Sequence, residues 1–242
     1  MTLSSFFVLF FTLLVLDHAR YANGFSMQLG IGALFQPQGL FTKSAYGDAN
    51  LLLKASDFFV DSFWVGKVGG GADVLTSKQR SSLSKTQFNE FRGRYAGVSR
   101  GQSELIVCQL PSGEVVGCAG IEATPIPDGS LKAKTGPRYP LMSNLAVSRQ
   151  YRRKGIAEKL VKEAERLARK EWGYNLVFLY VEQRNVPAVR LYQKLGYRKI
   201  WVDEDATTLL PKPNGRLSNE PTKIVCMTKR LDLGLLGRFL PF

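Results

Sequence analysis

Apolar and charged positions alternate with a helical period between residues 156 and 168. The apolar positions fall three or four residues apart, and charged residues fill the opposite face. Glu158 and Lys162 form an i,i+4 pair on that charged face. The pattern predicts a helix of about four turns that lies on a sheet, and Gly173 is suited to end it.

Short β-rich runs flank this predicted helix. Residues 144–148 form an apolar segment before it, and Leu176 to Val181 is typical of a buried strand. A second helix is predicted after Asn185, because Pro187 suits a first helical turn and the next apolar positions have helical spacing. These positions are Ala188, Leu191, Tyr192 and Leu195. Gly196 ends this helix before a strand over 197–202.

The turn that precedes the first of these helices is basic and contains small residues. A helix N-terminus leaves backbone N–H groups without partners and carries a partial positive charge, so it binds phosphate where the side chains are small. Gly155 and Ala157 keep the backbone open, and three cations precede or join them: Arg152, Arg153 and Lys154. A diphosphate would fit this turn. The alternative is a basic turn without a ligand in a basic protein.

Two motifs in this stretch resemble those of the GNAT superfamily of acyl-CoA-dependent N-acetyltransferases. The first is Arg152-x-x-Gly155-x-Ala157, and the second is Asn185-x-x-Ala188-x-x-Leu191-Tyr192-x-Lys194-x-Gly196-Tyr197. Their order and separation are also similar to those of the family. The resemblance implies an α/β fold, the GNAT acyl-CoA N-acyltransferase fold, with a mixed splayed sheet of about seven strands flanked by helices.

The resemblance also implies a binding site for acetyl-CoA as co-substrate, without a metal. The backbone of Leu145, Ala146 and Val147 would hydrogen-bond the pantetheine arm, in the wedge where two parallel strands splay apart. Asn185 would contact the pantetheine. The pyrophosphate would be held by the basic turn and the first helical turn: Arg152, Arg153, Lys154, Gly155, Ile156, Ala157 and Glu158.

The resemblance implies a direct attack of a neutral amine on the acetyl group, with Tyr192 as the general acid that protonates the departing thiolate. A free phenol has a pKa of about 10 and is therefore protonated at neutral pH. The alternative for Tyr192 is an ordinary core aromatic on a helix stripe.

The general base is less well defined by the sequence. The only histidine, His18, lies in the predicted leader, which leaves a carboxylate acting directly or through water. Glu122 and Glu182, each at the end of a predicted strand, are the candidates; the alternative for each is a solvated strand-end acid. Some protein N-terminal acetyltransferases of the family have Glu at the position corresponding to Tyr180, and the sequence departs from them there.

The remaining elements of the predicted domain, residues 51–232, follow from shorter patterns. We expect a first strand and the start of a helix within 51–65, a helix over 75–95, and a hairpin from 104–110 and 114–121. An irregular stretch is expected from Asp203 onward, whose acidic start could attract a cationic amine, and a closing strand over 223–230. Residues 233–242 form an apolar C-terminal tail of undefined role.

The N-terminus has the features of a two-part targeting sequence. Phe6 to Leu16 has the length of a signal-peptide core, although no Lys or Arg precedes it, and cleavage is expected before Phe25. The predicted segments are a signal peptide over 1–24 and a transit-peptide-like segment over 25–50, whose only acid is Asp48. Together they resemble bipartite plastid presequences of algae with secondary plastids. Secretion and an uncleaved membrane anchor are the alternatives. If the leader is cleaved, we expect it to be the only part of the protein that contacts a membrane.

The formal net charge of +13 suggests a nucleic-acid-binding protein as a competing class. Lysine and arginine are scattered, however, and there is no helix-turn-helix or zinc spacing, so we expect no specific nucleic-acid partner. A catalytically inactive CoA-binding relative is another alternative. We expect the acceptor to be a protein or peptide amine, either an N-terminal α-amine or a lysine, with a small arylalkylamine or polyamine as the second choice. The three cysteines show no metal or redox spacing.

Overall fold

The computed structural model describes residues 39–69, 72–97, 102–129, 131 and 136–231. The predicted signal peptide, most of the transit-peptide-like segment and the C-terminal tail lie outside the described residues. Within the described ranges, no helix is long and apolar enough to cross a membrane.

A mixed sheet of seven strands forms the centre of the described chain, in the order β1-β2-β3-β4-β5-β7-β6. All neighbouring pairs are antiparallel except β4 and β5, which are parallel. The strands are β1 (Phe41–Ser44), β2 (Ser103–Gln109), β3 (Val115–Pro125), β4 (Arg138–Val147), β5 (Leu176–Glu182), β6 (Arg198–Pro211) and β7 (Leu217–Arg230).

Within the described ranges, four α-helices cover the two faces of this sheet. They are α1 (Ala49–Phe59), α2 (Ser77–Tyr95), α3 (Ile156–Arg166) and α4 (Val186–Lys194). The first and third continue as π-helical turns over Val60–Trp64 and Leu167–Glu171. Buried residues of α1 and α2 share one core cluster, and those of α3 and α4 share the cluster on the other face. The predicted hairpin, the predicted helix over 75–95 and the two predicted helices around residues 156 and 188 are thus confirmed.

The prediction of a first strand within residues 51–65 is wrong. This segment is helical from Ala49 to Trp64, because Asp48 caps the helix by accepting a hydrogen bond from the Leu51 N–H, and Leu52, Ala55 and Phe59 are buried with helical spacing. The first strand is instead β1, which pairs with β2. The boundary predicted at residue 50 therefore falls inside the folded domain.

The irregular stretch predicted from Asp203 onward is also wrong. Two bulges, at Ile200 and at Glu204–Asp205, take up extra residues and let β6 continue to Pro211 against β7. Pro221 is tolerated within β7 because β5 ends opposite Ile224, so within the described part of the chain one edge of β7 has no neighbouring strand at Pro221. The hairpin of β6 and β7 is thus long and continuous, with two bulges.

Candidate functional site

The parallel strands β4 and β5 separate after a short contact. Only Leu141 with Phe178 and Met142 with Leu179 are paired between them in the described residues. Beyond that point, β5 stays paired with β7 and β4 stays paired with β3. A wedge therefore opens between the carboxyl-terminal halves of β4 and β5, and Leu145, Ala146 and Val147 lie along its β4 edge.

A bulge in β4 marks the point of separation. Asn144 and Leu145 together oppose the single residue Ala119 of β3. Asn144 has a φ of 53°, a left-handed conformation that asparagine tolerates better than most residues. Because a bulge bends the strand that carries it, this bulge turns β4 away from β5.

Buried side chains from α2 hold the bulge in place. The Asn144 Nδ2 donates to the Tyr95 hydroxyl at 3.1 Å, and the Tyr95 and Ser143 hydroxyls lie 3.3 Å apart. The Tyr95 ring ends directly over Gly120, where a Cβ atom would lie 2.1 Å from the Tyr95 oxygen. Glycine at position 120 thus makes room for the tyrosine that fixes the wedge.

Replacing Tyr95 with phenylalanine should lower the free energy of unfolding by about 1 kcal/mol at pH 7, because Asn144 loses a buried partner. Burial raises the pKa of Tyr95 from its ordinary value of 10.0 to about 12, although Arg94 acts against this. The stabilisation from the protonated phenol is therefore complete below pH 10 and is lost towards pH 12. Urea unfolding from pH 7 to pH 11 should show the difference between wild type and Tyr95→Phe shrinking as pH rises. The exposed Tyr46 provides the control Tyr46→Phe, and equal alkaline slopes for wild type and Tyr95→Phe would contradict the assignment.

The turn before α3 has an unusual backbone. Arg153 and Gly155 both have positive φ values, 63° and 78°. The N-cap of α3 is Gly155 itself, so no side chain of the described residues caps the helix. The first main-chain bond runs from the Lys159 N–H to the Gly155 carbonyl. The N–H groups of the first helical turn are thus left for another acceptor, in the kind of main-chain concavity that binds anions.

The side chains of this turn have different surroundings. Arg152 Nε donates to the Val147 carbonyl at 3.1 Å and Nη2 to the Ser62 carbonyl at 3.3 Å, so this side chain ties the end of β4 to the helix after α1. Arg153 is exposed, and the Lys154 ammonium lies 5.0 Å from the centre of the Tyr151 ring. Ile156, the first residue of α3, has a buried side chain, and the small side chain of Ala157 leaves space at the turn. The Glu158 carboxylate pairs with the Lys162 ammonium at 2.7 Å. Arg153 and Lys154 therefore supply the surface charge of the turn.

Asn185 lies at the open end of the wedge, immediately before α4. Its Oδ1 accepts the Ala188 N–H at 3.4 Å and caps the helix. The side chain is fully buried, and its Nδ2 has no hydrogen-bond partner among the described residues. A buried amide donor without a partner is uncommon in folded proteins. The Asn185 Nδ2 therefore marks a place where it could donate a hydrogen bond to a carbonyl oxygen of a ligand.

Tyr192 is fully buried on the inner face of α4. Its ring centre lies 5.7 Å from that of Tyr197, in an edge-to-face arrangement. It belongs to the same core cluster as Leu145 and Val147 of β4. The fold therefore places Tyr192, Asn185 and the β4 edge of the wedge on one side of the molecule.

Glu182 lies in a buried cluster of charges. Its carboxylate is 3.6 Å from the Lys67 ammonium, accepts from Arg184 Nε at 2.7 Å, and accepts from the Thr208 and Thr222 hydroxyls at 2.9 and 3.1 Å. Burial lowers the pKa of Lys67 to about 8, while Glu182 acts in the opposite direction. Four partners surround the two carboxylate oxygens of Glu182, as is typical of a residue that stabilises the fold. This arrangement does not favour the predicted role of Glu182 as a general base.

Glu122 is held by α2. Arg94 donates to both of its oxygens, at 3.1 and 2.8 Å, and also contacts Ser143 and Glu90. A two-pronged pairing of this kind is strong. It occupies the oxygens that a general base would need.

Replacing Glu182 with glutamine should therefore affect stability more than catalysis. Removing one partner of a buried ion pair typically costs about 3 kcal/mol, so we expect a loss of that order in the free energy of unfolding, with kcat lowered less than about threefold. Urea unfolding and steady-state kinetics measure both. Glu204→Gln, which removes the exposed pair with Lys223, is the control and should cost well under about 1 kcal/mol. A large loss of kcat in a Glu182→Gln protein of wild-type stability would restore Glu182 as the base.

Some residues of the site carry no signal in the sequence. Tyr95 and Arg94 sit on α2, far along the chain from the strands that they contact, and Lys67 meets Glu182 only in the fold. Arg184 could have been noticed because it directly precedes Asn185. Asp203 begins the acidic stretch that the sequence analysis expects to attract an amine. Its side chain is buried and accepts hydrogen bonds from the main-chain N–H groups of Leu131 and Asp205.

The chain belongs to the acetyltransferase (GNAT) family, whose family model matches residues 74–197. This match includes β2 to β5, α2 to α4 and both predicted motifs. The chain therefore contains a domain of this family, as the two motifs predicted.

Relatives with curated names match shorter parts of the chain. GCN5-related N-acetyltransferase 4, chloroplastic, of Arabidopsis thaliana is 43% identical over 79 residues, which are 33% of this chain and 26% of that protein. An N-alpha-acetyltransferase of Saccharolobus solfataricus is 36% identical over 59 residues, 24% of this chain and 35% of that protein. The chain thus matches about a quarter to a third of each relative's length.

Solved structures agree on the fold. A GCN5-related N-acetyltransferase from Kribbella flavida superposes with a TM-score of 0.53 at 22% identity, over 81% of this chain and 100% of that one. This likeness is one of fold.

Proposed function

We propose that the protein is an acetyl-CoA-dependent N-acetyltransferase that acetylates a primary amine of a protein or peptide, at an N-terminus or at a lysine. The observation that carries this proposal is the wedge between β4 and β5, which ends at the unpartnered Nδ2 of Asn185. An extended chain with amide groups can lie along the β4 edge as an additional strand would. Pantetheine, with its two amides, has this character.

The residues present fit acetyl-CoA at three points. The main chain of Leu145, Ala146 and Val147 would hold the pantetheine arm, and Asn185 Nδ2 would donate to one of its carbonyls. The turn formed by Arg153, Lys154 and Gly155 would hold the pyrophosphate, through main-chain N–H groups of Ile156, Ala157 and Glu158 and the two surface cations. Arg152 would act indirectly, by fixing the end of β4.

Acetyl-CoA supplies an activated acetyl thioester when it is bound. Tyr192 would hold a proton at its hydroxyl oxygen and deliver it to the departing sulfur. Since Glu122 and Glu182 are both held in ion pairs, we propose that the acceptor amine loses its proton to water rather than to either carboxylate.

Charge around the end of β5 favours a protein amine over a polyamine. Lys67 and Arg184 share the single carboxylate of Glu182 there, and the net positive charge that remains disfavours a polyamine with several positive charges. The name of the archaeal relative, N-alpha-acetyltransferase, agrees with a protein N-terminus. The chloroplastic name of the plant relative agrees with the predicted leader, and we propose a plastid location on that basis.

The test is mass spectrometry of a peptide pool after incubation of the full chain with isotopically labelled acetyl-CoA. A fragment beginning at residue 50 should be avoided, because it would lack β1. We expect label on α-amines, on lysines or on both. Binding of acetyl-CoA without label on any peptide, and with label on an arylalkylamine instead, would replace the proposed acceptor class.

A further inference from the structure

A cavity opens beside the end of β5. It has a volume of about 330 Å³ and is lined by Gln183, Arg184, Pro221, Thr222 and Lys223. It forms because β7 continues past the last residue of β5, with the Gln183 N–H donating to the Lys223 carbonyl at the junction. The cavity is therefore lined by the turn after β5 and by the part of β7 that extends beyond it.

Arg184 is held in a fixed orientation at this cavity. Its Nε donates to Glu182 at 2.7 Å. Its guanidinium lies over Gly69, where a Cβ atom would come within 2.5 Å of three guanidinium atoms. The Nη2 atom is buried and has no hydrogen-bond partner among the described residues. Arg184 thus lines the cavity with a positioned guanidinium, one donor of which has no partner among the described residues.

The charges around Arg184 do not neutralise it. Glu182 is shared by two cations, Arg184 and the buried Lys67, so the cluster retains a net positive charge. The other nearby charges are already paired on the surface, Lys223 with Glu204 and Lys212 with Glu220. An incoming anion would therefore find its complement at Arg184.

The cavity is close to the proposed acceptor position. Arg184 directly precedes Asn185, which ends the wedge, and neighbouring Cα atoms are about 3.8 Å apart. From this spacing and the length of an arginine side chain, we estimate roughly 10 Å between the cavity and the wedge. An extended peptide covers that distance in about three residues.

We propose that Arg184 and this cavity bind a carboxylate of the acceptor, so that the enzyme prefers polypeptides with Asp or Glu within about three residues of the acetylated amine. This proposal rests on the proposed function, whose acceptor class it narrows. A carboxylate suits the site because a guanidinium donates to it in a charge-assisted hydrogen bond.

The test compares two pairs of isosteric peptides with the full-length enzyme. One pair has a free α-amine and begins Ala-Asp-Glu or Ala-Asn-Gln; the other is blocked at its N-terminus and has a single lysine flanked by the same acids or amides. The wild-type ratio of kcat/KM, acid to amide, should be about tenfold for the pair that is acetylated, and should fall as salt is added. In Arg184→Gln this ratio should drop to near one, mainly through KM for the acid peptide. Arg184→Lys keeps the positive charge, so it should keep part of the acid-to-amide ratio of kcat/KM. This variant therefore distinguishes loss of the charge from a folding defect in Arg184→Gln.

The matched control is Arg198→Gln, which removes an exposed cation at the far end of β6 and should leave the ratio unchanged. Binding of the same peptides, labelled with fluorescein at the C-terminus, provides a readout that does not need turnover. Acetylation of both peptides at equal rates, with equal affinities, would overturn the role of Arg184 and leave the proposed function intact. Binding of the acid peptide that depends on Arg184, without any acetylation, would keep the anion site and overturn the proposed function.

Discussion

Replacing Tyr192 with phenylalanine should lower kcat by about 100-fold or more, while the affinity for acetyl-CoA changes less than about threefold. Loss of a positioned general acid typically costs 10²- to 10⁴-fold in rate. The ring of Tyr192 is fully buried, and phenylalanine preserves its shape, so the cofactor site should keep its geometry. Steady-state kinetics and calorimetric titration with acetyl-CoA measure the two quantities separately.

Tyr197 offers a matched control for this substitution. It is a second buried tyrosine, with its ring centre 5.7 Å from that of Tyr192 and in the same core cluster. Tyr197→Phe removes the same group from the same surroundings and should change kcat only slightly. If Tyr192→Phe retains wild-type turnover, or if the two variants lose the same amount, Tyr192 is a core residue and another group protonates the thiolate.

Replacing Gly155 with aspartate should weaken acetyl-CoA binding by about 100-fold or more. Gly155 is the N-cap of α3 with a φ of 78°, and its neighbours present main-chain N–H groups and the charges of Arg153 and Lys154. A carboxylate there would occupy the anion site itself and repel a pyrophosphate. Calorimetric titration at low and high salt would record the loss, which should be smaller at high salt.

Gly155→Asn separates charge from backbone strain. Asparagine and aspartate have the same shape, and both tolerate a left-handed backbone better than other side chains do. We expect the asparagine variant to keep most of the affinity. Equal loss in both variants would mean that the backbone conformation alone is responsible, and wild-type affinity in the aspartate variant would exclude this turn as the pyrophosphate site.

The helical core of the site was predictable because its signals are local. The apolar period over 156–168 and the Gly155 turn specify α3 within one short stretch, and Pro187 with Gly196 bounds α4 in the same way. The resemblance to the GNAT family rests on these two elements. The family match and the fold confirm this part of the prediction.

The errors fall where pairing between distant residues determines the structure. β1 is short and mostly exposed, so its sequence has no apolar alternation, and it becomes a strand only through hydrogen bonds to β2. β6 continues through Asp203 to Asp205 because its bulges absorb extra residues against β7. In the same way, no spacing in the sequence could show that Arg94 forms an ion pair with Glu122. Nor could it show that the Glu182 carboxylate pairs with both Lys67 and Arg184.

The measurement that tests the account most directly is hydrogen exchange of the full-length protein with and without acetyl-CoA, followed by mass spectrometry. The wedge and the α3 turn should be protected together, in peptides that cover residues 143–158, while peptides from the hairpin of β6 and β7 should exchange as before. That result would place the cofactor between β4 and β5 with its pyrophosphate at Gly155. Saturating acetyl-CoA that leaves residues 143–158 unprotected would contradict the proposed site.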